Sequence, residues 1–288
     1  MRSSKICVSL ALALWTGAIG AAVGAESPAA PQGSHGAPAA APKGKESSPA
    51  KELVLDMGGG VKLELVLIPA GEFLMGSPDS DPRAESNEKP QHRVRITKPF
   101  YMGKYKVTQD QWDAVMGSNS SAFRGPKYPV NAVSWDDCQA FIKKLDDKFP
   151  LHRGKFRLPT EAQWEYACRA GSTTQWSFGD DVSKLGDYAW HRGNDEESIH
   201  PLGQKKPNAW GLHDIHGDLW EWCADAYDRR YYASSPADDP VGPSTNGYRV
   251  LRGGSWNLGP EYARSARRSW LGQNVGSFLH GFRLAMSL

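Results

Sequence analysis

Over its 288 residues the chain sets 34 Lys and Arg against 32 Asp and Glu, a formal net charge of +2. So small a charge, without a basic stripe, argues against nucleic acid as a partner. The length admits one large domain or two small ones.

Met1 to Ala25 reads as a secretory signal. Arg2 and Lys5 form a basic start, Ile6 to Ala22 an apolar run, and Val23-Gly24-Ala25 a small-residue cleavage site. The competing reading is a membrane anchor, but the run is interrupted by Ser9 and Thr16, and it is marginal for a spanning helix. Cleavage after Ala25 leaves an exported protein, periplasmic or extracellular, with no membrane span. Residues 26–50 collapse to Ala, Pro, Gly, Ser and Lys, the composition of a disordered linker. The folded domain is then 51–288. Cys7 departs with the signal, and Cys138, Cys168 and Cys223 allow one disulfide and a spare thiol, or three buried thiols.

Leu53 to Pro69 reads as a hairpin hinged at Gly58-Gly59-Gly60, because Val61, Leu63, Leu65 and Leu67 alternate. FLMGS follows as extended chain, then a polar loop over 78–91. HRVRITKPFYMGKYKVT returns as strands with Arg on one wet face. Three helices are placed by capping boxes: Thr108 with Gln111, Ser134 with Asp137, and Thr160 with Gln163. The first stops at Gly117 and the third at Gly171. Cys138 and Cys168 fall on the buried faces of the second and third helices, as small core residues. Beyond Gly171 no pattern is sustained as far as Arg249, and RVLRGGSWN and GFRLAMS read as two final strands bracketing a loop from Leu258 to His280.

Within the irregular half, NAWGLHDIHGDLWEW is a loop rich in glycine and tryptophan, and its backbone needs partners. Asp214 and Glu221 offer carboxylates while Gly217 and Leu219 can turn carbonyls inward, a hard-oxygen set suited to Ca²⁺. The alternative is a tight loop packed by Trp220 and Trp222 without an ion. His213 and His216, on either side of Asp214, read as hydrogen-bonded to the backbone rather than bound to metal.

The motifs IPAGEFLMGS, VTQDQWDAVMG, PVNAVSWDDCQAF, RLPTEAQWEYACRAG, NAWGLHDIHGDLWEWC, RVLRGGSW and GFRLA occur in this order. From about Leu53 to Leu288 the chain thereby resembles the formylglycine-generating-enzyme family, also called sulfatase-modifying factors. The resemblance implies an α+β single domain, a variant of the C-type lectin-like fold with little regular secondary structure. It implies structural Ca²⁺ held by the Asp214 and Glu221 side chains and the Gly217 and Leu219 carbonyls. A second family calcium site would fall in DYAWHRGN, where Trp190 stands in place of a ligand, so that site is expected to be missing.

Family oxidases use Cu(I) held by two cysteines just after GGS. Here GGS is followed by WNLGPEYARSARRSW, with no cysteine after Cys223, so no copper is expected. Of the family's active-site wall, Trp220 and Ser255 persist. Three functions compete. The first is a calcium-stabilised binding or accessory module of the cell envelope, contacting a peptide, glycan or envelope protein through Tyr262, Arg264, Arg267, Arg268 and Trp270. The second is a cysteine-independent periplasmic oxidase, for which the family has a precedent in pyoverdine maturation and for which Glu261 is the candidate base. The third is formylglycine generation on a sulfatase cysteine.

Overall fold

The computed structural model describes residues 50–288 except Pro126, Glu196 and Asn246. The expected signal peptide and all but the last residue of the expected linker lie outside the described residues. The hairpin forms as the alternation requires: β1 (Glu52–Gly58) pairs antiparallel with β2 (Val61–Ile68). β3 (Gly71–Met75) and β4 (His92–Ile96) make a separate two-stranded ribbon, with Arg93 and Arg95 outward and Val94 and Ile96 buried. β5 (Phe100–Gly103) returns alongside β2.

All three capping boxes are present. α1 (Gln109–Met116) and α2 (Trp135–Lys148) start at Thr108 and Ser134, and Gly117 ends α1 in the left-handed conformation. β6 (Phe156–Arg157) precedes α3 (Glu161–Arg169), which is capped by Thr160 and ends two residues before Gly171, with Ala170 taking the left-handed turn. A one-turn helix, α4 (Leu185–Tyr188), leads into β7 (Ala189–Trp190), which pairs in parallel with β8 (His216–Gly217).

Besides the two-residue strands β6, β7 and β8, the sequence reading misses two longer ones. β9 (Trp220–Ala226) is buried at every residue but Ala224, so it lacks the alternation that marks a half-exposed strand. β10 (Tyr248–Arg252) is the expected strand, but its partner β11 (Arg268–Gly272) lies inside the segment read as a loop. β12 (His280–Gly281) and β13 (Ala285–Ser287) complete the chain. Two main sheets result, in the orders β1-β2-β5-β13-β6 and β11-β10-β9-β12. The last strand is inserted between β5 and β6, with Met286 opposite both Tyr101 and Phe156.

One core is aromatic, with Trp112 stacked on Phe141 at 5.2 Å and Phe282 edge-on to Phe141 at 5.5 Å. A second gathers around Trp164, with Cys168 and Cys223 among its members. No helix among the described residues is long and apolar enough to cross a membrane.

Candidate functional site

The 214–221 segment, which carries β8 and leads into β9, turns on three left-handed residues: Asp214 (φ 52°), Gly217 (φ 75°) and Asp218 (φ 62°). Glycine is required at 217, because a Cβ there would stand 2.1 Å from the Trp190 carbonyl oxygen. This geometry aims the loop's oxygens at one point, and at that point sits the Lys106 ammonium. Lys106 Nζ donates to the Asp214 carbonyl oxygen and to Gly217 O (3.2 Å), and it lies 3.4 Å from Glu221 Oε1 and 3.9 Å from Asp218 Oδ2. Its side chain has no exposed surface.

Glu221 is saturated from three sides. Arg283 donates to both oxygens (2.7 and 2.8 Å), and Trp164 Nε1 donates to Oε2 (2.8 Å). Burial presses the Glu221 carboxyl pKa upward, but Arg283 and Lys106 hold it below its usual value. Asp214 Oδ2 accepts the Gly203 amide at 2.7 Å, and Leu219 is fully buried. Two expected calcium ligands, Gly217 O and Glu221, therefore already face an internal cation, and Ca²⁺ does not fit beside it. The sequence offers no signal for Lys106, which stands among ordinary strand residues in KYKVT.

Trp190 stacks on His200 with ring centroids 3.5 Å apart, and Lys205 Nζ lies 3.7 Å from its ring centroid. His213 Nδ1 is 3.0 Å from Lys205 O. His216 Nδ1 donates to Ala263 O (2.8 Å), which leaves Nε2 to accept from the Ser177 amide (3.2 Å).

Ser255 and Trp220 are both buried, and Ser255 Oγ donates to Asp218 O at 3.3 Å. The next residue, Trp256, packs near Phe123 and Phe278 at centroid distances of 6.1 and 6.5 Å, and Phe278 is 44% exposed. This aromatic trio is drawn from separate segments, which is why the sequence reading misses it.

Glu261 is exposed on a 3-10 turn, so it lacks the burial expected of a base beside Trp220. The expected contact surface also requires correction. Arg264 is buried in a fork with Glu88 (2.7 and 2.9 Å), and Arg268 in a fork with Glu161 (2.7 and 2.9 Å). Such bidentate pairs hold guanidinium groups inside. Arg267 is mostly covered, paired with Glu85 and set 4.7 Å from the centre of the half-buried Tyr262 ring. Of the five, only Trp270 is exposed, stacked on Tyr227 at 4.3 Å.

A family model described as "Sulfatase-modifying factor enzyme 1-like domain" matches residues 60–288. The chain belongs to the sulfatase-modifying factor family. It is 32% identical over 286 residues to the formylglycine-generating enzyme of Streptomyces coelicolor, a match covering 76% of this chain and 88% of that relative. Among solved structures it is similar to Treponema denticola variable protein 1, with a TM-score of 0.76 and 29% identity over 83% of this chain and 100% of the other. PvdO from Pseudomonas aeruginosa gives a TM-score of 0.74 and 28% identity over 84% of this chain and 100% of the other. The α+β fold of formylglycine-generating enzymes is thus the fold of this chain.

Copper does not fit this sulfatase-modifying factor domain. The three cysteines among the described residues are buried and free, on α2, α3 and β9. Burial pushes the Cys168 thiol up to about 12 and the other two well above their usual range. Cu(I) needs thiolates, and buried protonated thiols are inert.

β9 also carries Asp225, whose carboxyl is raised to about 7 by burial and then by Glu161, against the Glu161 amide at 2.8 Å and Arg268. A carboxyl titrating there when folded, and near 4 when unfolded, favours the folded state at low pH and loses that advantage as pH rises through 7. The full shift corresponds to about 4 kcal/mol. His216 and His280, lowered by burial to about 4, act oppositely: their stability is lost as pH falls from the ordinary histidine range toward 4. Asp225→Asn keeps the acceptor for the Glu161 amide and removes the charge. The variant should melt above wild type at about pH 8, with the gap narrowing as pH falls and closing only at about pH 4. Thermal melts at both values check this, and an equal shift at both would show Asp225 ionised throughout.

Proposed function

We propose that this chain is an exported member of the family that serves as a binding or accessory module of the cell envelope, without copper oxidase chemistry. The observation that carries the reading is the loop after Ser255. Where the resemblance asks for two soft ligands, the loop presents Asn257, Leu258, Gly259, Pro260, Glu261 and Tyr262, and Trp256 just before them joins Phe123 and the exposed Phe278 in an aromatic cluster. Exposed aromatics give large contact area at low entropic cost and suit recognition of a peptide, glycan or envelope protein. The loop's single carboxylate, Glu261, is exposed, which weakens the reading as a cysteine-independent oxidase.

The test uses protein recovered from the exported fraction of the producing cell, whose mature chain should begin at Glu26. Incubated with Cu(I) and a cysteine-containing sulfatase-motif peptide under air, it should leave the peptide mass unchanged. A photo-crosslinker at position 278 should give a discrete adduct in the envelope, and one at the exposed Leu151 should not. Conversion of the peptide thiol to an aldehyde, lost on replacing Cys138, Cys168 or Cys223, would overturn the proposal in favour of formylglycine generation. A retained Met1 would make the leading segment an anchor.

A further inference from the structure

We propose that the Lys106 ammonium is the resident cation of the 214–221 loop, so that the chain closes this loop with its own side chain and folds independently of Ca²⁺. Lys106 lies between β5 and α1, and the main chain around it is tied down. The Lys104 amide donates to Glu64 O (2.9 Å), Val107 to Phe282 O (2.9 Å), and His213 to Lys104 O (3.0 Å). The side chain reaches the Asp214 and Gly217 carbonyls and the Glu221 and Asp218 carboxylates. An ammonium offers three N–H donors and a point charge, and two carbonyls with two carboxylates satisfy both.

The same oxygens cannot also serve a dication. Ca²⁺ takes six to eight oxygens at about 2.3–2.6 Å, and here Gly217 O and Glu221 Oε1 are shared with Lys106 while Arg283 holds Glu221 from the other side. A calcium ion in contact with those atoms would lie against the ammonium in a buried site, where like-charge repulsion is poorly screened. Of the two carboxylates that face the ammonium, Asp218 carries an oxygen without a hydrogen bond, Oδ2. Truncating Lys106 would leave the Asp214 and Gly217 carbonyls together with Asp218 Oδ2 and Glu221 Oε1 free of the ammonium, an oxygen-rich set of the kind calcium requires.

Thermal melts of the full chain with chelator and with millimolar calcium decide the matter. Wild type should melt at the same temperature in both. Lys106→Ala should melt lower by roughly 10 °C in chelator and recover part of that loss in calcium. A wild-type melt that falls on chelation would overturn the proposal, as would a Lys106→Ala variant indifferent to calcium. Should Lys106→Ala fail to fold in either condition, terbium luminescence sensitised by tryptophan decides on wild type alone. No saturable signal supports an internal cation, and a saturable signal displaced by calcium overturns it.

Discussion

Replacing Arg252 with Met should lower the melting temperature by roughly 10 °C, a loss of about 3–5 kcal/mol. Arg252 ends β10 just before the Gly253-Gly254-Ser255 turn, and its guanidinium is fully buried. Nη1 donates to Ala266 O (2.9 Å) and Arg267 O (2.7 Å), and Nη2 donates to Ser265 O (2.7 Å) and to Glu165. One side chain thus ties the segment entering β11 to α3. Burial lowers the Arg252 pKa, but Glu165, Tyr232 and Glu161 raise it above its usual value overall. Met fills similar space and leaves three carbonyls and part of Glu165 without their donor, and an orphaned buried acceptor costs more than a lost exposed bond. Arg267→Met is the comparison, since its Glu85 partner is about half exposed and such pairs contribute about 1 kcal/mol or less. Calorimetry on both variants checks the difference. Equal losses would show that the Arg252 network is not what fixes the loop.

The contrast between Arg252 and the capping boxes shows what the sequence could and could not disclose. Thr108, Ser134 and Thr160 each act within three residues, so their helices are legible from local chemistry alone. The β1–β2 hairpin is legible for the same reason, since one face is exposed. β9 is not, because it is buried on both faces and its two carboxylates have partners remote in sequence, Arg283 for Glu221 and the Glu161 amide for Asp225. Arg264 and Arg268 mislead in the same way. They look like surface charge until Glu88 and Glu161, more than a hundred residues earlier, close around them. The cation of the 214–221 loop belongs to this class too. The ligand atoms are readable in DIHGDLWE, whereas Lys106 enters from a segment 108 residues before Asp214.

Glu221→Gln should be as damaging as Arg252→Met, with a loss of about 3–5 kcal/mol. The substitution keeps the shape of the side chain and removes the one carboxylate that both Arg283 and Lys106 share. Two buried cations then face each other across an amide, and the Gln NH₂ group confronts Arg283 in either orientation, in one of them also removing the acceptor used by Trp164 Nε1. Lys106→Met on its own removes the opposite member of the pair. Because the two groups act on one another, the double variant should lose less than the sum of the single losses, with a coupling of about 0.5–3 kcal/mol. Denaturant titration of wild type, both single variants and the double variant measures it. Strict additivity would mean that Lys106 and Glu221 do not act as an ion pair, and the loop would then need another source of positive charge.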